Sequence, residues 1–374
     1  PVGVLERFTL IGLDRRGTGT DALGCAPPAA RSALVDADPL AADEADLNAQ
    51  LEQARRIVQD CYLLQPGSLQ TISTTAAAGD VEALRAALGV ARLSAIGVGD
   101  GATALATWAR GHAGAVGRLV LDGPPDPGAT EPEATAARAA AAESAFDAFA
   151  TSCTARPDCP LGSDPRAAVS ALVEQLRGQP LVADDGRRLT AGKVVTALLT
   201  EVDEPRRWDV LAAALAAAGA GDPTGVLGLL DPLLGPGGRF DSRLAVSCND
   251  SAARRLTPPE VAELAQRWRA EHPLFGVTLA RGLLACSPWP VDVAPGGPGT
   301  VEGTPPVLVI GAAAGTRSTL EGSRAAAAAI ENARFLSWQG TGAGAYPRTP
   351  CVGATVEAML LDGVVPADGI LCPP

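Results

Sequence analysis

Five residues, Gly97-Val98-Gly99-Asp100-Gly101, carry the strongest chemical signal in the sequence. They stand between an apolar run, Leu93 to Val98, and an Ala-rich helical stretch, Ala102 to Arg110. A strand that turns sharply into a helix through paired glycines is the setting of a nucleophile elbow, usually G-x-S-x-G, whose central hydroxyl is lifted clear of the sheet to attack a carbonyl. Here the centre is Gly99, which has no side chain to attack with. Asp100 is adjacent, and a carboxylate can form a covalent ester intermediate. Centring the turn on Asp100, however, puts Val98 and Ala102 where the turn wants glycine, and hydrolysis of the ester still needs a base. The charge of Asp100 suits the first turn of a helix, and ligand binding is its functional alternative.

Proton transfer in such sites is most often done by histidine. The 374 residues include 2 histidines, His112 and His272. His112 leads into the amino end of the run Arg118 to Asp122, and His272 precedes Pro273 at the end of a helical stretch, so both read as surface or helix-end residues. The usual general base is therefore absent near the elbow. Asp122, closing Arg118 to Gly123 (RLVLDG), reads as a structural turn residue. Ser94, Thr103, Ser318 and Ser337 sit near strand ends as ordinary helix, strand or turn residues. Gly17 to Gly19 (GTG) is a turn, because no phosphate-loop lysine follows. No metal-ligand cluster is visible, and no cofactor is implied.

These residues need a scaffold. Arg7 to Asp14 (RFTLIGLD), Leu93 to Val98, Arg118 to Asp122, Pro306 to Ile310 and Arg334 to Trp338 read as short buried strands. Helical spacing covers Asp80 to Leu88, ended by Gly89, and Leu320 to Asn332. Short apolar strands alternating with helices predict a mostly parallel sheet with helices on both faces. Between the third and fourth strands, Pro125 to about Thr304 changes character. It contains an amphipathic helix, Arg166 to Arg177, a capping box from Thr257 to Glu260 with Pro258 at the first position, and an Asp185-Gly186 hairpin turn. The predicted organisation is thus a first core part over 1–124 with its elbow at 97–101, a helical cap or lid over 125–304, and a second core part over 305–374. Pro295 to Pro306 reads as the linker back to the core.

With 30 Lys+Arg against 42 Asp+Glu, the chain carries a formal net charge of -12. That balance repels phosphate backbones, and no basic stripe reverses it, so nucleic acid is excluded as a partner. The longest apolar stretches, such as Leu211 to Ala218 and Ala325 to Ile330, fall well short of the roughly 20 residues a membrane span needs. Pro1 opens with neither an initiator Met nor a charged-then-apolar leader, so the expectation is that any secretion signal has been removed or lies outside this numbering.

Eight cysteines, Cys25, Cys61, Cys153, Cys159, Cys248, Cys286, Cys351 and Cys372, form no C-x-x-C pair and have no neighbouring histidine. An even count without metal spacing predicts disulfides in an oxidising, extracytoplasmic compartment. Sequence order suggests Cys25 with Cys61, Cys153 with Cys159, Cys248 with Cys286, and Cys351 with Cys372.

Ordered blocks along the chain carry a family resemblance. They are GLDRRGTG followed by Cys25, GDVEALRAALG, GVGDGA, VGRLVLDG, the triplet Cys248-Asn249-Asp250, HPLFG, CSPWP, PPVLVIG, GAGAYPRTPCV and the closing LDGVVPADGILC. Together, from about Arg7 to Cys372, they resemble the secreted tripeptidyl-aminopeptidase family of actinobacteria. The resemblance implies an α/β-hydrolase fold with a large helical cap and a TAP-like C-terminal region. It also implies cleavage of short peptides from free amino termini by a Ser, Asp, His triad. Carried over by position, the serine falls on Gly99, the aspartate on Gly315 and the histidine on Ala343. Gly311 to Leu320 holds no carboxylate, so a small shift of alignment does not restore the acid. Family members also carry a Gly-rich oxyanion loop on a strand ahead of the one at Arg7. Asp250 becomes a candidate for receiving the cationic amino group of a peptide.

The expectation is a secreted or envelope-associated hydrolase-fold protein whose catalytic machinery has been lost. Its binding or assembly role would be directed at a peptide, a small apolar ligand, another envelope protein or a preceding N-terminal chain. Two alternatives stand beside it: an active serine-type aminopeptidase or esterase using unrecognised or partner-supplied residues, and a purely structural subunit of an extracellular complex.

Overall fold

The computed structural model describes residues 2–251, 255–290 and 299–374, which fold as two compact units. Residues 1–16, 72–130 and 294–374 form the first; residues 17–71 and 131–293 form the second. The helical unit therefore draws on two stretches of chain where the sequence suggests one insertion. Residues 295–298 of the expected linker lie outside the described residues.

The strands, in chain order, are β1 (Leu93–Val98), β2 (Val116–Asp122), β3 (Leu181–Val182), β4 (Arg188–Leu189), β5 (Val307–Ala314), β6 (Ala333–Thr341) and β7 (Ile370–Cys372). The first unit holds a five-stranded sheet in the order β1-β2-β5-β6-β7, parallel at every pairing. Its central strands are buried on both faces, which is why they read as unbroken apolar runs. Leu119 and Leu121 point to one side with Trp108, Leu105 and Val81. Val120, Leu308 and Ile310 point to the other with Val356 and Leu360. All four parallel crossovers leave the loops that follow β1, β2, β5 and β6 on one edge of the sheet.

Two sequence expectations need correction. Arg7 to Asp14 is not a buried strand: a helix over Val2–Arg7 gives way to an irregular run, with Leu10, Ile11 and Leu13 exposed at 61, 51 and 47%. β1 is the edge of the sheet and makes no ladder with this run, and an extended segment without a strand partner has nothing to hold it as a strand. The helix expected over Leu320 to Asn332 stops at Ala328, because Ile330 turns to bridge Val301.

The second unit is helical apart from the β3-β4 hairpin, which closes through Asp185 and Gly186, at φ +82°. Its largest core gathers Phe146, Phe149 and Phe275 with Leu172, Leu198 and Leu211. The capping box at Thr257 forms as expected, with the Thr257 amide donating to Glu260 Oε2 at 2.9 Å. A buried ion pair fixes its other stretch of chain. Arg31 Nε lies 2.9 Å from Asp241 Oδ1, while Asp241 Oδ2 accepts the amides of Cys25 and Ala26 at 2.7 and 2.9 Å.

Four disulfides join Cys25 to Cys61, Cys153 to Cys159, Cys248 to Cys286, and Cys351 to Cys372, each within one unit.

Candidate functional site

At the carboxyl end of β1 the chain turns through Gly99 at φ 55° and ψ −116° into the helix Asp100–Gly111. That is a conformation side chains make costly. The Gly99 amide donates to the Asp122 carbonyl at 2.8 Å, and the Gly99 carbonyl accepts the Thr103 amide at 3.1 Å. The turn is tight enough that a Cβ on Gly97 would lie 2.6 Å from the backbone of Gly101, whereas a Cβ on Gly99 or Gly101 meets nothing within 4 Å. The backbone is thus that of a nucleophile elbow, with space above its apex and no side chain filling it.

Asp100 points away from this turn into solvent, 78% exposed, and lies 3.7 Å from Arg15 Nη1. So exposed and so long a pair is worth little, and the carboxylate serves as an ordinary first-turn charge. His112 caps the far end of the same helix, with Nδ1 3.3 Å from the Trp108 carbonyl. At 1.5 Å of rise per residue the 12-residue helix separates the two ends by about 18 Å. His272 ends the helix Pro258–Glu271 in the second unit.

The remaining loops of this edge converge on Asp122. It is buried at the end of β2, and Oδ2 accepts the amides of Ala345 and Tyr346 at 2.7 and 2.9 Å. Loss of water around the carboxyl pushes its pKa up to about 6, against the two amide bonds and the charge of Arg348, which pull the other way. Asp122 therefore organises the loop after β6, and not the strand-to-cap turn that its place in the sequence suggests. Arg348 Nη2 holds the same loop by donating to the Ala343 carbonyl at 3.0 Å. A Cβ on Gly344 would touch Val98 Cγ1 at 2.9 Å, so this loop packs directly against the end of β1. Gly315 is buried just past the end of β5.

The structure thus brings the loops carrying Gly99, Gly315 and Ala343 to one edge of one sheet, and the ionisable group buried among them is Asp122. Asp250 belongs elsewhere: it ends the helix Phe240–Asp250 in the second unit. Its neighbour Asn249 is the buried brace there, donating to the Leu69 carbonyl at 2.7 Å and accepting Trp289 Nε1 at 2.8 Å. In the sequence Asn249 stands out only as part of the triplet Cys248-Asn249-Asp250, and Asp241 does not stand out at all. The face that this helix buries, Asp241, Ser242, Ala245, Cys248 and Asn249, is mostly polar and so leaves no apolar period in the sequence. The described residues place Cys25, Cys61 and Asp241 together, but both sulfurs are spent in a disulfide, which leaves no thiolate for a metal.

A parallel sheet flanked by helices, entered through an elbow turn, defines an α/β-hydrolase-type protein. Residues 272–372 match the family described as TAP-like protein. Similarity reaches the full chain. It is 26% identical over 406 residues to "Serine protease Hip1" of Mycobacterium tuberculosis, covering 100% of this chain and 76% of that protein. It is 29% identical over 391 residues to "Carboxylesterase B" of the same species, covering 99% and 74%. Against "Tripeptidyl aminopeptidase" of Streptomyces lividans the identity is 24% over 385 residues, covering 99% and 71%. The chain is thus similar to TAP-like hydrolase and peptidase homologues.

Proposed function

We propose that this chain is a non-hydrolysing TAP-like α/β-hydrolase homologue, extracytoplasmic, with a binding or assembly role. The observation that carries this reading is Gly99: the elbow keeps its backbone geometry and its room for a side chain, and its apex holds a hydrogen atom. Acyl transfer needs a nucleophile, a base within hydrogen-bond reach and a group to orient that base. Gly315 and Ala343, the positions to which the resemblance assigns acid and base, offer neither carboxylate nor imidazole. Asp122 is held by two backbone amides and has no imidazole to orient. The four disulfides support an oxidising compartment, and among the described residues no helix is long and apolar enough to cross a membrane.

A fluorophosphonate probe and a panel of aminoacyl, tripeptidyl and short-chain ester chromogenic substrates test the reading. The expected result is no labelling and no turnover above buffer. Turnover that a single substitution at Asp100, Ser94, Thr103, Ser318 or Ser337 abolishes would overturn it.

A further inference from the structure

We infer that the bond between Asp100 and Gly101 is a modification site, the place where the folded chain converts an aspartate to isoaspartate through a succinimide ring. In that step the Gly101 amide nitrogen bonds to the side-chain carbonyl carbon of Asp100, and the carboxyl hydroxyl leaves with the amide proton as water. A second water then opens the ring. Opening at the main-chain carbonyl leaves the chain running through the Asp100 side chain, with no net change in mass. Glycine favours the attack because no Cβ crowds its nitrogen.

The sequence holds Asp-Gly pairs at Asp100, Asp122, Asp185, Asp362 and Asp368, and the ring needs both a free carboxyl and a free glycine amide. Asp122 is 1% exposed, and the Gly123 amide donates to the Ile310 carbonyl at 2.8 Å. The Asp185 carboxylate accepts the Arg187 amide and Nε at 3.0 and 2.6 Å, and the Gly186 amide donates to the Ala183 carbonyl at 2.9 Å. Asp362 Oδ1 accepts Arg7 Nη1 at 2.9 Å, with the Gly363 amide on the Met359 carbonyl at 3.1 Å. Asp368 Oδ1 accepts the Phe335 amide at 2.8 Å, and the Gly369 amide donates to the Phe335 carbonyl at 2.9 Å. At Asp100 both groups are free. Its carboxylate is 78% exposed and 3.7 Å from Arg15 Nη1, beyond hydrogen-bond reach. Gly101, the second residue of its helix, lies in the turn whose amides have no intrahelical acceptor, and its amide has no acceptor elsewhere among the described residues.

Ring closure also asks Asp100 to rotate about its main chain. As the first helical residue it does so by opening one end of the helix, with loss of the bond from the Thr103 amide to the Gly99 carbonyl, and such ends open well below the free energy of global unfolding. The product adds one carbon to the main chain between Gly99 and Gly101. The elbow has no room for it, since a Cβ on Gly97 would already lie 2.6 Å from the Gly101 backbone. The modified turn therefore gives up its elbow shape. This inference does not rest on the loss of hydrolytic activity.

Tryptic mapping of protein held at pH 6 and 37 °C tests it, with electron-transfer mass spectrometry distinguishing isoaspartate from aspartate by the extra main-chain carbon. The peptide from Leu93 to Arg110 carries the site. Isoaspartate is expected to accumulate in the folded protein at least tenfold faster at Asp100 than at each of the other four aspartates, and at rates within about threefold of one another in guanidinium chloride. Gly101→Ala, whose Cβ meets no atom within 4 Å, should keep the melting temperature and slow the reaction at Asp100 at least tenfold. Four results would overturn the inference: a rate at Asp185, Asp362 or Asp368 that matches Asp100 in the folded protein, an Asp100 that reacts only when unfolded, a tenfold preference for Asp100 that persists in guanidinium chloride, and a rate that Gly101→Ala leaves unchanged.

Discussion

Asp122 Oδ2 takes the amide of Ala345 at 2.7 Å, tying the end of β2 to the loop that follows β6. The neighbouring Tyr346 amide shares the same oxygen at 2.9 Å. One carboxyl thereby sets the shape of the loop that holds Ala343, the position to which the resemblance assigns the base.

The same carboxyl makes stability depend on pH in an unusual direction. Its folded value of about 6 stands above the ordinary 3.8 because burial disfavours the charge. The folded state then binds the proton more tightly than the unfolded chain, so this group's contribution is greatest below pH 4. It falls as pH rises from about 4 to about 6 and stays low beyond. At 1.36 kcal/mol per unit the fall amounts to about 2–3 kcal/mol. Asp122→Asn, which can keep an oxygen facing both amides, is expected to flatten that slope. Urea unfolding at pH 4.5 and 7.5 for both proteins checks it, and an unchanged slope in the variant assigns the effect to another group.

Alanine placed along the elbow should separate its three glycines. Gly97→Ala drives a Cβ to 2.6 Å from the Gly101 backbone and is expected to cost about 3 kcal/mol or more. Gly99→Ala meets no atom but must hold φ 55°, for about 1–3 kcal/mol. Gly101→Ala sits in open space inside the helix and should be neutral or stabilise by up to about 1 kcal/mol. Denaturant midpoints give the order, and equal losses at all three positions would mean that the turn is not built as described.

The elbow was legible in the sequence because two glycines bracketing a strand end leave few other conformations, and the sheet was legible because its strands are buried on both faces. Arg7 to Asp14 misled for an instructive reason. RFTLIGLD is apolar enough for a core strand, but a strand is defined by its neighbour, and composition holds no record of whether that neighbour is present. The helical unit was read as one insertion because helices announce themselves by period, while the assignment of 17–71 to that unit depends on buried contacts such as Arg31 with Asp241, separated by most of the chain. β7, 3 residues long, is too short to leave a period at all.

The Arg31–Asp241 pair should behave as a buried charge pair does. With side-chain exposures of 6% and 0%, removing one partner strands the other away from water. Asp241→Ala is expected to cost about 3–5 kcal/mol, and Arg31→Met a comparable amount. The double variant should fall short of the sum by at least about 1 kcal/mol. A double-mutant cycle by urea unfolding measures the coupling, and strict additivity would show that the two groups act independently.

The bridge from Cys351 to Cys372 ties the helix Pro350–Glu357 to β7, the last and shortest strand of the sheet. A 3-residue strand contributes few ladder bonds, and Leu371 within it is 66% exposed, so burial alone holds β7 weakly. The cross-link supplies the difference by restricting the unfolded chain. For a sequence separation of 21 loop-closure entropy gives about 3 kcal/mol, against about 2 kcal/mol for the separation of 6 between Cys153 and Cys159. Replacing both Cys351 and Cys372 with alanine should therefore lower stability more than replacing Cys153 and Cys159. It should also let the amides of Ile370–Cys372 exchange rapidly while those of β5 at the sheet's centre stay protected. If β7 remains as slow to exchange as β5 in the alanine variant, the strand is held by its own pairing with β6 and the disulfide contributes only to global stability.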